Sequence, residues 1–330
     1  MLPWPGSNFF RKAAAPMEQL RFPNADSASS SPGDGAVRLR MLLAYDGSGY
    51  RGVTPQPGQR TVGGAVSEAL TRILRHRAAV RVVVAGRTDA GVHAWGQVLH
   101  ADVGVPVGEV DLIRIRRSLS GLLGDTIVVR DIGMAPAGFH ARFSAQWRSY
   151  RYLVLNELSP DPLRRSSWWH VEDRLDVDAM ALATDPFLGD HDFTSFGRTP
   201  KNPDGTPGSM RRVVLHARWL SGDDPDHPGL LRFEIRATSF CQQMVRSIVG
   251  FLVEVGRGRR HAGDVLAALA ARKRQATMLA PPHGLSLWAV GYPDGYGSLD
   301  SAGAGSPAGA GSGSPDRAGS PNGYGVITSS

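Results

Sequence analysis

The sequence predicts an α+β fold built on a central, mainly antiparallel sheet. Segments with the alternating apolar pattern of strands outnumber segments with the three- and four-residue spacing of helices. Most neighbouring strands are expected to run antiparallel, which favours this class over a doubly wound parallel sheet. The 330 residues are enough for one large or two ordinary domains with a sizeable core.

Composition divides the chain into four segments. Residues 1–36 hold a serine-rich patch without hydrophobic periodicity, so we expect a disordered N-terminal extension there. Residues 294–330 are rich in glycine, serine and alanine, a composition typical of a disordered tail. Between them we expect an N-terminal α/β half over residues 37–145 and a C-terminal α/β half over residues 146–293.

The N-terminal half is expected to contain four strands and two helices. Apolar residues alternate along the first strand, and the second is a run of valines typical of a buried strand. Thr61 can cap the first helix, because its hydroxyl can accept a hydrogen bond from a free amide of the first turn. The predicted strands cover residues 37–45, 80–84, 98–103 and 126–132, and the predicted helices cover residues 62–73 and 110–122.

The C-terminal half is expected to contain four strands and three helices. Its first strand shows alternation and aromatic content, and a polar segment rich in proline and glycine, residues 198–209, is expected to be a loop. The predicted strands cover residues 149–155, 211–220, 230–237 and 285–290, and the predicted helices cover residues 176–183, 240–256 and 265–271.

Charge and cysteine content narrow the classes of function. The net charge of +7 comes from arginine clusters in the predicted core, which favours a polyanionic partner, nucleic acid first. A compositional bias toward arginine would give the same balance without such a partner. The one cysteine excludes an intrachain disulfide and a cysteine-based zinc cluster, and it fits a cytoplasmic protein. The sequence shows neither a secretory signal nor an apolar run near the ~20 residues that span a bilayer.

One turn between predicted strands exposes a carboxylate. Residues 86–93 read Gly-Arg-Thr-Asp-Ala-Gly-Val-His, and the two glycines permit a tight turn because glycine adopts positive φ without steric cost. The turn places Asp89 in the open between Arg87 and His93, on a short connection that two strands can hold rigidly. An aspartate in such a turn often only caps a backbone amide, so the local pattern leaves both roles open.

The stretch 86–93 resembles the active-site signature of the tRNA pseudouridine synthase A family. Further segments are similar to that family in the same order, at residues 43–47, 139–152, 240–250 and 284–287. The resemblance implies the pseudouridine synthase fold, in which two α/β halves share a central sheet with a cleft between them. It also implies a homodimer that isomerises uridines at positions 38, 39 and 40 in the anticodon stem-loop of tRNA, with no cofactor and no metal.

The reaction of this family breaks the N1–C1′ bond of uridine and rejoins the base through C5. An ionised carboxylate can capture an electron-poor sugar or an activated base, and Asp89 is the candidate. Attack at C1′, addition to the base and removal of a ribose proton all stay open. Arg246 is expected to pair with Asp89, since a guanidinium favours the charged carboxylate and is costly to bury alone. The alternative is that Arg246 extends to solvent.

Five more residues of the matching segments are expected to bind the substrate. Tyr150 would stack on the flipped uracil and help to remove the C5 proton; otherwise it is a core aromatic. Arg87 would bind phosphate or hold the target nucleotide out of the stack, or else form a salt bridge that fixes the turn. Leu285 would form a wall of the uracil pocket, and Arg142 would contact RNA or brace the cleft. For His93, bracing the loop is favoured over a hydrogen bond to RNA.

Three positions depart from the usual family pattern. The chain has Val53 where tryptophan is usual and Gly63 where glutamine is usual, and it lacks an asparagine-containing loop near residues 120–122. These changes lie outside the catalytic stretch and concern tRNA contacts and loop packing.

Two alternative functions stay open. An aspartate-dependent N-glycosidase would use similar chemistry and release the base, but it would need a second acid or a metal-binding cluster of aspartates, which the sequence does not show. A non-catalytic RNA-binding module would have no need of Asp89. A zinc nucleobase deaminase is excluded, because the sequence has no Pro-Cys-x-x-Cys motif.

Overall fold

Ten strands form one mixed sheet in the computed structural model of this chain, which also has five α-helices in its described part. The structure describes residues 36–104, 110–200, 202, 204–222, 224–274 and 278–296. The expected disordered segments, 1–36 and 294–330, therefore lie outside the described residues, apart from residues 36 and 294–296. The α+β prediction is confirmed.

The first part of the chain supplies four strands and two helices. They are β1 (Val37–Tyr45), α1 (Val62–Ile73), β2 (Val82–Val84), β3 (His93–Val103), α2 (Leu112–Leu123) and β4 (Ile127–Met134). Thr61 caps α1 as expected, because its side chain accepts a hydrogen bond from the Gly64 N–H.

The second part supplies six strands and three helices. They are β5 (Trp147–Leu155), β6 (Trp169–His170), α3 (Val177–Leu182), β7 (Gly189–Asp192), β8 (Arg211–Ser221), β9 (Leu230–Ala237), α4 (Met244–Gly256), α5 (Asp264–Ala271) and β10 (Leu285–Gly291). No helix in the described ranges is both long enough and apolar enough to cross a membrane.

The strand order places the last strand in the middle of the sheet. The order is β4-β1-β3-β10-β5-β9-β8-β7, with β2 paired to β3 and β6 paired to β5. Seven of these nine strand pairings are antiparallel. The parallel pairing of β10 with β3, through Ser286–His93 and Leu287–Ala94, joins the strands of the first part to those of the second. The turn that carries Asp89 leads directly into β3, so it lies at this junction.

Helix α4 packs in the core at the same junction. Eleven of its thirteen residues are buried. Its Gly250 lies against the Met278 carbonyl so closely that a Cβ would come within 2 Å of the oxygen, which allows the helix and the segment before β10 to touch. The tight packing fixes the N-terminal end of α4 in place.

Two predicted elements start at a clearly different residue in the structure, and two observed strands were not predicted. Strand β3 starts at His93 instead of residue 98, because Ala94 and Gln97 pair with β1 and residues 93 and 94 pair with β10. Helix α4 starts at Met244 instead of residue 240, because Gln243 has a left-handed backbone (φ +66) that the apolar pattern does not reveal. Strands β6 and β7 are too short for a detectable alternation.

Candidate active site

A pocket of about 570 Å³ lies over the turn between β2 and β3, the strand β5 and the start of α4. Asp89 is the only carboxylate among the described residues that line it. The pocket is lined by seven arginines: Arg51, Arg87, Arg142, Arg148, Arg198, Arg212 and Arg246. Such a lining attracts an anion and can hold a single charged carboxylate.

Buried side chains fix the backbone of the turn. Gln97 pairs with Gly86 through both ends of its amide: Nε2 donates to the Gly86 carbonyl (2.7 Å), and Oε1 accepts from the Gly86 N–H (3.3 Å). The hydroxyl oxygens of Tyr45 and Thr88 are 2.8 Å apart, and the Val53 N–H donates to the Thr88 carbonyl (3.2 Å). Burial raises the pKa of Tyr45 to about 12, so it keeps its hydroxyl proton at neutral pH.

Two side chains near the start of α4 hold Asp89. Arg246 Nη1 lies 3.8 Å from Asp89 Oδ2, and Gln242 Nε2 donates to Asp89 Oδ1 (3.3 Å). Arg246 Nε also donates to the Ala280 carbonyl (2.7 Å), which orients the guanidinium. Burial lowers the pKa of Arg246 and the charge of Asp89 opposes that shift. The expected contact is present, and the alternative in which Arg246 extends to solvent is not, because its side chain is 12% exposed.

Tyr150 presents an aromatic ring to the same pocket. Its ring packs edge-to-face on Phe240, with centroids 4.9 Å apart. Burial raises the pKa of the Tyr150 hydroxyl, and the charge of Asp89 acts in the same direction. The phenol is therefore neutral at physiological pH. Within the described ranges its hydroxyl forms no hydrogen bond.

Three of the other residues predicted to bind the substrate line the pocket: Arg87, Arg142 and Leu285. Arg87 is exposed and forms no ion pair with any described residue, so the alternative of a salt bridge that fixes the turn is not observed. Arg142 is exposed and lies over the Phe143 ring, 5.4 Å from its centroid.

His93 lies outside the pocket lining. Its Nδ1 accepts from the Gly47 N–H (3.1 Å), and its Nε2 lies 2.8 Å from the Ser166 carbonyl. These two contacts connect the turn after β1 with the segment before β6. The geometry supports the bracing role for His93.

Sequence reasoning missed Gln242 and Arg148, which both line the pocket. The segment that contains Gln242 was predicted to be helical, and only the left-handed Gln243 makes it a loop. Arg148 could have been found, since it lies two residues before Tyr150 on a strand and must therefore share its face.

Val53 and Gly63, the two residues that depart from the usual family pattern, lie together beneath the turn that carries Asp89. The Gly63 N–H donates to the Val53 carbonyl (2.8 Å), and a Cβ on Gly63 would come within 2.5 Å of that oxygen. The Val53 backbone in turn supports Thr88. The close contact therefore explains the glycine at position 63, and nothing in the structure explains the valine at position 53. Residues 120–122 belong to the last turn of α2.

Replacing Gln97 with methionine is expected to destabilise the protein by about 2 kcal/mol, because the partly buried N–H and carbonyl of Gly86 lose their hydrogen-bond partners. The rate of any reaction that depends on Asp89 should also fall by roughly tenfold, because a shift of the turn moves the Asp89 carboxylate out of position. Thermal unfolding and single-turnover rates measure the two effects. Gln59→Met, at an exposed position, is the control and should change neither. A Gln97→Met protein with the wild-type rate would contradict the role given to this amide.

The described residues include no group of three or more histidine, cysteine, aspartate or glutamate side chains placed to hold a metal ion.

The family model and the relatives that match this chain all carry the same name, tRNA pseudouridine synthase. A family model described as tRNA pseudouridine synthase matches residues 183–293. A protein named tRNA pseudouridine synthase A from Frankia casuarinae is 41% identical over 262 residues, covering 79% of this chain and 91% of that relative. Proteins of the same name from Halalkalibacterium halodurans (75% of this chain, 90% of the relative) and Streptomyces griseus (78% and 89%) are each 40% identical.

A solved structure, a Rhodococcus jostii DypB variant in complex with heme, aligns over 66% of this chain and 83% of that chain at 13% identity. Its TM-score of 0.18 is too low to bear on the fold.

Proposed function

This chain belongs to the tRNA pseudouridine synthase A family, and from that membership we propose that it isomerises uridine to pseudouridine at positions 38, 39 and/or 40 of the tRNA anticodon stem-loop. The observation that carries the proposal is the single carboxylate, Asp89, held by Arg246 and Gln242 in a pocket lined by arginines. We place the enzyme in the cytoplasm, where it would meet its tRNA substrate.

The reaction rearranges one nucleotide and needs no redox partner. The N1–C1′ bond breaks, the base turns, the C5–C1′ bond forms, and the hydrogen of C5 is exchanged for one on N1. Asp89 is the residue that stabilises or captures the separated sugar or base, and attack at C1′, addition to the base and removal of a ribose proton are all compatible with its position. The Arg246 guanidinium provides the counter-charge for this carboxylate.

The pocket suits a nucleotide that has left its helix. A base inside a duplex cannot reach a recessed carboxylate, so the uridine must turn out of the stack. Tyr150 offers its ring for stacking, and Leu285 offers an apolar wall. A neutral phenol can pass the C5 proton along but cannot remove it as a phenolate. Arg87 and Arg142 are free at the exposed edge to contact the RNA backbone.

Release of tritium from C5-labelled uridine in tRNA tests the proposal, with Asp89→Ala as the control. Release by the wild-type protein but not by the variant supports the synthase. Binding without release would support an RNA-binding module, and free uracil would support an N-glycosidase. Mapping pseudouridine in tRNA from a deletion strain then tells which of the three positions are modified.

Binding of tRNA should weaken steeply with salt. Four exposed arginines line the pocket: Arg51, Arg87, Arg142 and Arg198. If each contacts one phosphate, the logarithm of Kd should rise with the logarithm of salt concentration with a slope of about 3 to 4.

Arg87→Gln should lower the slope of log Kd for tRNA against log salt concentration by about 1. Arg259→Gln, at an exposed position after α4, should leave it unchanged. An affinity that does not respond to salt would contradict the phosphate contacts.

The sheet face opposite the pocket supports a homodimer. Side chains alternate along β5, so Tyr150 faces the pocket and Arg151 faces away. There the Trp95 and Trp288 rings stack with centroids 5.9 Å apart. Arg130 lies 4.2 Å over Trp95, and Arg151 lies 3.7 Å over Trp288. Trp95 is 47% exposed, and exposed tryptophan beside arginine is typical of the centre of an interface.

Trp95→Glu is expected to convert the dimer into a monomer, because it removes the exposed indole ring that we propose for the centre of the interface. Light scattering measures the mass of each species. Ile113→Glu, at a 68% exposed position on α2, should stay dimeric. A monomeric wild-type protein would refute the dimer, and a dimeric Trp95→Glu variant would place the interface elsewhere.

A further inference from the structure

Arg148 is a buried arginine whose five N–H groups all bond to backbone carbonyls. Nε and Nη2 donate to the Ala85 carbonyl (3.3 and 3.1 Å). Nη1 donates to Ala145 (3.1 Å) and Thr238 (2.9 Å), and Nη2 also donates to Arg142 (2.5 Å). A guanidinium has only these five donors, so its hydrogen-bonding capacity is complete.

The four carbonyls belong to three separate segments that form the pocket. Ala85 directly precedes the turn that carries Asp89. Arg142 and Ala145 lie on the segment that leads into β5, and Thr238 follows β9 in the segment that leads to α4. Among the side-chain hydrogen bonds of the described residues, no other side chain bonds to all three segments.

Arg148 is unusual because it is a buried cation that pairs with no carboxylate among the described residues. Arg148 is 9% exposed, and no carboxylate in the described ranges pairs with it. Burial accordingly lowers its pKa. A buried cation without a counter-charge is costly, and an apolar side chain would fill the same space more favourably if packing were its only purpose. The directional bonds are what an apolar residue could not replace.

We propose that Arg148 is a positioning residue that fixes the three segments of the pocket relative to Asp89. The proposal rests on the synthase function proposed above. Arg148 acts on the reaction through the backbone, because its donors are all occupied and none is left for substrate. Its loss should therefore slow the chemical step and leave tRNA affinity, which depends on the exposed arginines, almost unchanged.

Arg148→Met and Arg148→Lys test the proposal together. Lysine keeps the charge, but its three N–H groups on one nitrogen cannot span four carbonyls. We expect the single-turnover rate to fall about 30- to 100-fold with methionine and at least tenfold with lysine, with tRNA Kd within about threefold of wild type. Amide hydrogen exchange at residues 85–91 should increase in both variants.

Arg38→Met is the matched control. Arg38 is equally buried, at 6% exposure, and bonds to Asp102 and to the Phe139 carbonyl, but it does not line the pocket. Arg38→Met should keep the single-turnover rate within about twofold of the wild-type rate.

Three results would overturn the proposal: a wild-type rate in Arg148→Lys, an equal rate loss in Arg38→Met, or a loss of tRNA affinity in place of rate. A wild-type protein that forms no pseudouridine would instead refute the proposed function.

Discussion

Asp89→Asn should abolish pseudouridine formation, with a rate loss on the order of 10⁴-fold or more. The amide has the shape of the carboxylate but no charge, and it cannot act as a nucleophile or a base. No second carboxylate among the described pocket residues can take over. The measurement is the single-turnover rate of tritium release from C5-labelled tRNA.

The affinity for tRNA separates this catalytic loss from misfolding. Asp89→Asn should bind tRNA at least as tightly as the wild type, because it removes a negative charge from a site that approaches phosphates. Asp178→Asn, at an exposed position on α3, should retain full activity. Residual turnover above a hundredth of the wild-type rate would show that another group performs the central step.

Arg246→Met is expected to reduce the rate by roughly 10²- to 10³-fold. Arg246 is the only cation that forms an ion pair with Asp89 among the described residues. Its loss removes the counter-charge and leaves the neutral Gln242 amide, the one side chain among the described residues that donates a hydrogen bond to the carboxylate. Arg246→Lys should be intermediate, because lysine keeps the charge but not the bond that Nε makes to the Ala280 carbonyl.

A double-mutant cycle shows whether Arg246 acts through Asp89. If it does, Asp89→Asn with Arg246→Met should be no slower than Asp89→Asn alone. Additive losses would mean that Arg246 serves another purpose, such as binding RNA. Arg257→Met, at the opposite end of α4 and paired with Asp173 (2.7 Å), is the control and should keep the wild-type rate.

The local patterns predicted most of the fold. The strands β1, β5, β8, β9 and β10 and the helix α1 lie close to their predicted ranges, because each has an alternation or helical spacing that its own residues determine. The Asp89–Arg246 contact was also predicted, because both residues lie in segments that resemble the family and an arginine among apolar residues is costly to bury alone.

The rest depends on contacts between distant residues. The first residue of β3, His93, pairs only with β10, almost two hundred residues later. Gln242 reaches Asp89 because a single residue, Gln243, has a left-handed backbone. The hydrogen bonds of Arg148 are made to backbone carbonyls. Every residue has a backbone carbonyl, so no pattern of side chains in the sequence can show which ones Arg148 contacts. Sequence periodicity carries no information about any of these three features.

The central place of β10 in the sheet has a consequence for protein synthesis. The pocket needs Leu285 from β10 as well as the turn before β3. A growing chain on the ribosome therefore cannot complete the pocket until residues 285–291 have emerged. The parallel pairing also spans a long sequence separation, which slows folding. We expect a nascent chain released before residue 285 to be catalytically silent.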